Sequence, residues 1–302
     1  MNVLMSRAER AGPSPTSGTD WSRQPSPLNN GPQTRPSRSS SQSIHTLPTV
    51  ANQPEPIWSD RQLDDPHAVA DKSRRVREMF AAIAPSYDLN NRLHSLWRDQ
   101  AWRRRAVRLS QLQPTDHVLD VACGTGDLSM AFENAGASRV IGVDFTPEML
   151  TIAHDKAVAH RGATRRSMTY HAGDGTRLPI ADRSVDVVSI AFGIRNIATP
   201  AAAIQEFARV LRPGGRLVIL EFSLPRNTIL RAMYNFYFKR IMPVTASLVA
   251  RDRSGAYRYL PQSVNTFLDR DALMALMGDA GFENITHTTL TFGIAVVYVG
   301  HV

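Results

Sequence analysis

Three aspartates recur at intervals that suit successive loops along one binding edge: Asp120, Asp144 and Asp174. The first opens the run Asp120-Val121-Ala122-Cys123-Gly124-Thr125-Gly126-Asp127, in which Gly124 and Gly126 let the backbone turn tightly and approach a ligand without a Cβ in the way. Asp144 follows Gly124 by 20 residues, the separation at which a carboxylate accepts both hydroxyls of a ribose. Asp174, between Gly173 and Gly175, can accept from an adenine amino group. A dinucleotide site asks for a third glycine and a helix N-terminus open to pyrophosphate. Here Ser129 stands at the third position, and Asp127 places negative charge where phosphate would sit. An adenosine with a cationic tail suits three carboxylates, and S-adenosylmethionine is that molecule. Cys123 lacks a defensible His or Asn partner and reads as a small loop residue rather than a nucleophile.

These loops need strands to hold them. Short aliphatic runs at His117 to Val121, Arg139 to Val143, Met168 to His171, Val185 to Ala191 and Arg216 to Phe222 read as strands. Helical segments at Asp127 to Ala135, Pro147 to His160 and Pro200 to Leu211 alternate with them, the last stopped by Pro213-Gly214-Gly215. Such alternation predicts parallel βαβ units in an α/β fold, an open sheet with helices on both faces. After a helix over Asp269 to Ala280, the runs Asn284 to Thr291 and Ile294 to Val299 are parted only by Phe292-Gly293. They must form a hairpin, so the expected sheet has seven strands, one of them antiparallel.

Composition bounds the rest. The chain has 302 residues, 42% hydrophobic and 21% charged, in the range of soluble globular proteins. One cysteine excludes an intramolecular disulfide and a cysteine-built metal site. The nine histidines are scattered, and no metal is expected. No run approaches the roughly 18 apolar residues of a membrane span, and the start lacks the pattern of a secretory signal. Residues 1 to 70 carry ten of 19 prolines and eleven serines and are expected to be a disordered tail, with an organellar transit peptide as the alternative. The domain is expected over 71–302. The net charge of +8 concentrates in two stretches: Lys72 to Arg108 carries +7 and Arg226 to Arg258 carries +6. Their partner should be an anionic surface, phospholipid or nucleic acid.

Several motifs resemble class I S-adenosylmethionine-dependent methyltransferases, and within them the ubiquinone/menaquinone biosynthesis C-methyltransferases (UbiE/MenG). Arg209-Val210-Leu211-Arg212-Pro213-Gly214-Gly215-Arg216-Leu217-Val218-Ile219-Leu220-Glu221-Phe222-Ser223 closely matches one signature, with Arg212 where lysine is usual. Tyr87-Asp88, Asn91, Ser95 and Trp102 match another in part, with departures at Asn90, His94 and Asp99. Phe192-Gly193-Ile194-Arg195-Asn196, Tyr257-Arg258-Tyr259-Leu260 with Ser263, and Asp279-Ala280-Gly281-Phe282 are also similar. The resemblance runs from Arg74 to the C-terminus.

It implies a Rossmann-like class I fold and methyl transfer to a ring carbon of a polyprenylated quinol, demethylmenaquinol or the equivalent ubiquinone-pathway benzoquinol. Asp99 in place of a common histidine inclines the reading to the menaquinone branch. The implied cofactor set is Asp120, Gly124, Thr125, Gly126, Asp144, Asp174, Gly175 and Ala191, the last standing where a serine is frequent. Arg195, Tyr87 and Asp88 are the expected catalytic residues: Arg195 to stabilise developing phenolate charge, the other two on a lid spanning 71–112. A helical insertion over 225–265 should face the acceptor, with Tyr257 in its pocket and His94 and His171 as polar wall or cap residues. An isoprenoid tail must come from a bilayer, so Trp97, Trp102 and Arg103-Arg104-Arg105, with Met233, Phe236, Phe238, Lys239, Arg240 and Met242, are expected to rest on lipid, placing the protein on the cytoplasmic membrane surface or the mitochondrial matrix face. The competing readings are a methyltransferase for another small phenol and an RNA-binding protein. Phe192-Gly193-Ile194-Arg195 is not an Asn-Pro-Pro-Tyr base-reading motif, which disfavours RNA. The oligomeric state is open.

Overall fold

Residue alternation along the central strands sends Leu119, Val188 and Ile219 to one face of a sheet and Val118, Val187 and Val218 to the other, and both faces are packed. The computed structural model describes residues 57–160, 167–241 and 255–302. The seven strands are β1 (His117–Val121), β2 (Arg139–Asp144), β3 (Ser167–Ala172), β4 (Val185–Ala191), β5 (Leu211–Phe222), β6 (Glu283–Leu290) and β7 (Ala295–His301). They are ordered β3-β2-β1-β4-β5-β7-β6. β7 runs antiparallel to both neighbours and the other pairings are parallel, as the two closing runs require.

Helices α5 (Asp127–Ala135), α6 (Pro147–His160) and α7 (Pro200–Val210) cross between strands where expected. β5 begins five residues before the expected Arg216: Leu211 already pairs with Val185, then the register shifts so that Arg216 meets Val187. Pro213-Gly214-Gly215 forms the irregularity, with Gly214 at φ 79°, so it interrupts a strand as well as ending a helix.

The N-terminal helices are α1 (Asp60–Asp64), α2 (Lys72–Ile83), α3 (Tyr87–Ser95) and α4 (Arg98–Leu109). Two expectations are corrected here. The tail does not extend to residue 70: Trp58 and Leu63 are buried, and Trp58 stacks on Tyr259 with ring centroids 4.7 Å apart. A buried tryptophan and leucine help to order this short segment despite Pro66. The expectation for residues 1–56 lies outside the described residues. Nor is the whole of 71–112 a lid, because α4 buries Trp102, Ala106 and Val107 in the sheet's core. Ser73 and Phe80 of α2 and Tyr87 of α3 lie over the cofactor loops. On the acceptor side are α8 (Thr228–Phe236), a π-helical turn at Tyr237–Ile241, α9 (Ala256–Thr266) and, behind β7, α10 (Arg270–Asp279).

Candidate functional site

Strand order reverses between β1 and β4, so the loops after them diverge and leave a crevice at their C-terminal ends. A cavity of 240 Å³ lies there, lined by Gly124, Asp144, Asp174, Gly175 and Ala191 of the expected cofactor set. Asp144 closes β2, and its carboxylate accepts from the Gly124 N–H and the Thr146 N–H, each at 2.8 Å. It therefore shapes the glycine loop as well as facing the cavity. Burial pushes its carboxyl above the usual range, opposed by those amides. Gly124 sits at φ 54° with no protein atom within 4 Å of where a Cβ would stand, an open cradle against the cavity. Asp174 Oδ1 accepts from the backbone and hydroxyl of Thr176, both at 2.8 Å.

Asp120 and Thr125 face a separate small void beside the same loop. Asp120 is buried and accepts from Ser129 Oγ at 2.6 Å and Ser189 Oγ at 2.9 Å; burial pushes its carboxyl up to about 6. Ser129, the residue that breaks the dinucleotide motif, is thus occupied with holding this carboxylate. Gly126 lines none of the three cavities; at φ 82° it starts α5, and a Cβ there would collide with the Tyr170 ring.

The second large cavity, 590 Å³, opens on the other side of Tyr87 and Phe192. Phe192, Arg195, Phe222, Tyr234, Phe238 and Tyr259 are among its walls. Phe80, Tyr87 and Phe192 line this cavity and the 240 Å³ one alike, so the two meet at a shared aromatic wall. Tyr87 also lines the small void, and stands where all three converge. Asp88, its neighbour, lines none of them: Thr125 Oγ1 donates to it at 2.6 Å and Lys156 Nζ at 2.8 Å, pinning α3 onto the glycine loop. His94 borders the large cavity and His171 is exposed. The Tyr257 side chain lies outside those described.

Arg195 is 5% exposed and its partner is Glu221, 1% exposed. NH1 donates to Glu221 Oε1 at 2.6 Å and to the Phe192 carbonyl at 2.7 Å, and the guanidinium carbon lies 5.3 Å from the Phe222 ring centroid. Glu221 Oε1 also accepts from the Phe222 N–H at 2.8 Å, which fixes the carboxylate. Burial pushes Glu221 up, and Arg195 opposes that shift. Glu221 was absent from the expected site residues although it was legible: an acid ending Leu217-Val218-Ile219-Leu220 inside a buried strand calls for a cationic partner.

Lys72 is a second such residue. Nearly buried, it donates to the carbonyls of Arg195 at 2.8 Å and Ile197 at 2.7 Å, and lies 3.0 Å from His67 Nδ1. It clamps the start of α2 to the loop bearing Arg195. Burial, helped by the Arg195 charge, lowers its pKa to about 8. The unfolded chain, with a lysine near 10.4, binds more protons than the folded chain between those values. Stability from this group therefore rises with pH from about 8 to about 10.4. Lys72→Met is expected to cost about 1–3 kcal/mol, since two carbonyls lose their donor. The deficit should be larger at pH 9.5 than at pH 7.5, as measured by urea unfolding at both; equal deficits would show that the ammonium is not strained by burial.

The basic stretches do not lie as expected. Arg103 is 6% exposed and bonded to Asp99 at 2.9 Å, and Trp102 is 6% exposed with Nε1 donating to Thr291 Oγ1 at 2.9 Å. Both point inward because α4 packs its Trp102 face on the sheet, leaving Arg104 outside. Trp97, Met233 and Phe236 are exposed at 60, 63 and 64%. Met242 lies outside the described residues, as does the Lys239 side chain.

A sequence model described as the ubiE/COQ5 methyltransferase family matches residues 68–302. The chain is 46% identical over 223 residues to a demethylmenaquinone methyltransferase of Thermus thermophilus, covering 74% of this chain and 99% of that one. It is 42% identical over 236 residues to the ubiquinone/menaquinone biosynthesis C-methyltransferase UbiE of Geobacter sulfurreducens, covering 78% and 91%. Among solved structures, a SAM-dependent methyltransferase of Thermotoga maritima superposes with a TM-score of 0.53 at 19% identity, over 75% of this chain and 99% of that one, a likeness of fold.

Proposed function

The chain belongs to the ubiE/COQ5 methyltransferase family and is an S-adenosylmethionine-dependent quinol C-methyltransferase; we propose that its acceptor is demethylmenaquinol and that it takes this acceptor from a membrane surface. The observation that carries the reading is the wall of Phe80, Tyr87 and Phe192 shared by the two large cavities, with Arg195 buried on the lining of the apolar one.

The residues fit the cofactor. Asp144 and Asp174 offer acceptors for ribose and adenine on either side of an open glycine cradle, and the bound group supplies an electrophilic methyl on a sulfonium. The chain's own contribution is alignment and charge. Phe192 and Phe222, with centroids 4.5 Å apart and planes tilted by 33°, give an apolar aromatic wall against which an acceptor ring can pack. A ring carbon is a weak nucleophile until a phenolic oxygen loses its proton. Arg195, held by Glu221, presents positive charge that favours the phenolate. The phenolic proton leaves to water. Tyr87, where the cavities converge, sets the line between donor and acceptor. Asp88 acts through Thr125 and Lys156 as a positioning residue.

The membrane reading now rests on different side chains. Leu96, Met233 and Phe292 line the acceptor cavity and are 79, 63 and 81% exposed, so its mouth is rimmed by apolar groups, with Trp97 beside them. Such a rim suits insertion among acyl chains, where an isoprenoid tail would leave the cavity. No helix among the described residues is long and apolar enough to cross a membrane.

The test is to incubate the purified protein with methyl-labelled cofactor and each reduced acceptor, in anionic vesicles. Faster labelling of demethylmenaquinol is expected; equal or preferential labelling of the benzoquinol would overturn the branch assignment. In flotation with the same vesicles, Leu96→Asp/Met233→Asp/Phe292→Asp is expected to remain unbound. Full retention by this variant would refute the rim as the membrane contact.

A further inference from the structure

Helix α8 leaves Ile229, Met233 and Phe236 exposed and turns Tyr234 inward. Leu230, Tyr234 and Tyr237, at the spacing of one helical face, line the acceptor cavity. The Tyr234 ring stacks on Phe238 with centroids 4.2 Å apart, which fixes where its hydroxyl sits on the wall. The residue is 5% exposed, and its Oη is buried with no hydrogen-bond partner among the described residues. Arg195 lines the same cavity, and its Nε–H is likewise buried without a partner among the described residues. A buried donor that neither protein nor water satisfies is costly, and an acceptor atom carried in by a ligand relieves that cost. Burial raises the pKa of the Tyr234 hydroxyl, and Arg195 is near enough to oppose the shift. The hydroxyl therefore stays protonated and remains a donor beside the arginine.

We infer that Tyr234 is a second donor to the acceptor's phenolic oxygen, converging on it with the Nε–H of Arg195. This assignment rests on the reading of the large cavity as the quinol site. When the ring carbon takes the methyl group, the electron pair comes from the oxygen that has lost its proton, so that oxygen is where negative charge must be held. Arg195 has NH1 committed to Glu221 and to the Phe192 carbonyl, which leaves its Nε edge for the oxygen. Tyr234 adds a neutral donor, which strengthens the hold on the oxyanion without bringing a further charge into an apolar cavity. Tyr259, also on the wall, is not free for this part, because its Oη donates to Asn196 Oδ1 at 3.0 Å. A ring without an oxygen at that place would leave both donors stranded, so the pair also selects for a hydroxylated ring.

The test compares the full chain with Tyr234→Phe, which keeps the ring and its stacking on Phe238. The hydroxyl removed has no partner in the free protein, so Tm should not fall, whereas loss of a structural hydrogen bond would lower it. For demethylmenaquinol, kcat should drop about 10- to 100-fold, the scale of one hydrogen bond to a charged oxygen, while S-adenosylhomocysteine binds as before. Two probes, titrated with saturating S-adenosylhomocysteine, separate donation from packing: 2-methyl-1-naphthol has the oxygen and 2-methylnaphthalene lacks it. Tyr234→Phe should weaken the naphthol about 3- to 10-fold and leave the hydrocarbon no weaker. Unchanged kcat would overturn the assignment and leave the cavity as the quinol site. So would a lowered Tm with equal weakening of both probes, the mark of a packing residue. Binding of neither probe by the unaltered protein with S-adenosylhomocysteine bound would instead refute the quinol reading of the cavity.

Discussion

Arg195→Ala is expected to bind S-adenosylhomocysteine within about twofold of the unaltered protein and to turn over about 10²- to 10³-fold more slowly, the scale of losing one fixed donor to a developing anion. The effect should fall on kcat, because charge on the phenolic oxygen grows only as the methyl moves. The substitution also strands Glu221, which is 1% exposed, and breaking a buried pair costs about 3–5 kcal/mol. The informative variant is therefore Arg195→Ala/Glu221→Gln, which removes both charges and should refold with the same catalytic deficit. Arg195→Lys should not restore turnover, since a lysine cannot reproduce the bonds from NH1 to both Glu221 and the Phe192 carbonyl. Loss of S-adenosylhomocysteine binding with turnover preserved at saturating cofactor would place Arg195 in the wrong cavity.

Asp144→Ala is expected to produce the opposite pattern, with no heat on titration with S-adenosylhomocysteine at concentrations that saturate the unaltered protein. Two effects add. The ribose loses its acceptor, and the amides of Gly124 and Thr146 lose theirs, so the glycine loop is released from the position that cradles the ligand. Truncating one partner of a buried, charge-assisted set costs about 2–5 kcal/mol of binding, a 30- to 4,000-fold loss. Asp144→Asn, which keeps one acceptor oxygen, should lie between. Thermal unfolding separates binding from folding: Asp144→Ala should lower Tm modestly and abolish the upward shift that saturating S-adenosylhomocysteine gives the unaltered protein. An undiminished shift would rule out this carboxylate as the ribose ligand.

Much of this arrangement was readable because its signals are local. Glycines at a strand-to-helix turn, an acid at the end of the next strand and period-two aliphatic runs are short-range patterns with short-range causes, and β1, β4, α5 and α6 begin and end where the residues say. Side-chain direction on helices was less readable. Arg103-Arg104-Arg105 reads as a cationic surface, yet successive helical residues lie about 100° apart, and only packing on the sheet shows that Arg103 faces inward. Asp88 is similar: an acid beside Tyr87 reads as chemistry, whereas its bonds to Thr125 and Lys156 make it a fastening.

What the residues by themselves determined is the cofactor edge: the alternation of strands and helices, the glycine turn and the carboxylates that follow from it, because a parallel sheet places every such loop at the same end. What only the tertiary structure decided is the company each charge keeps. Glu221 meets Arg195 across two strands, and Lys72 reaches 123 residues along the chain to the Arg195 carbonyl. Each pairing is set by the cost of burying an uncompensated charge, and that cost arises only when distant segments close around it and exclude water.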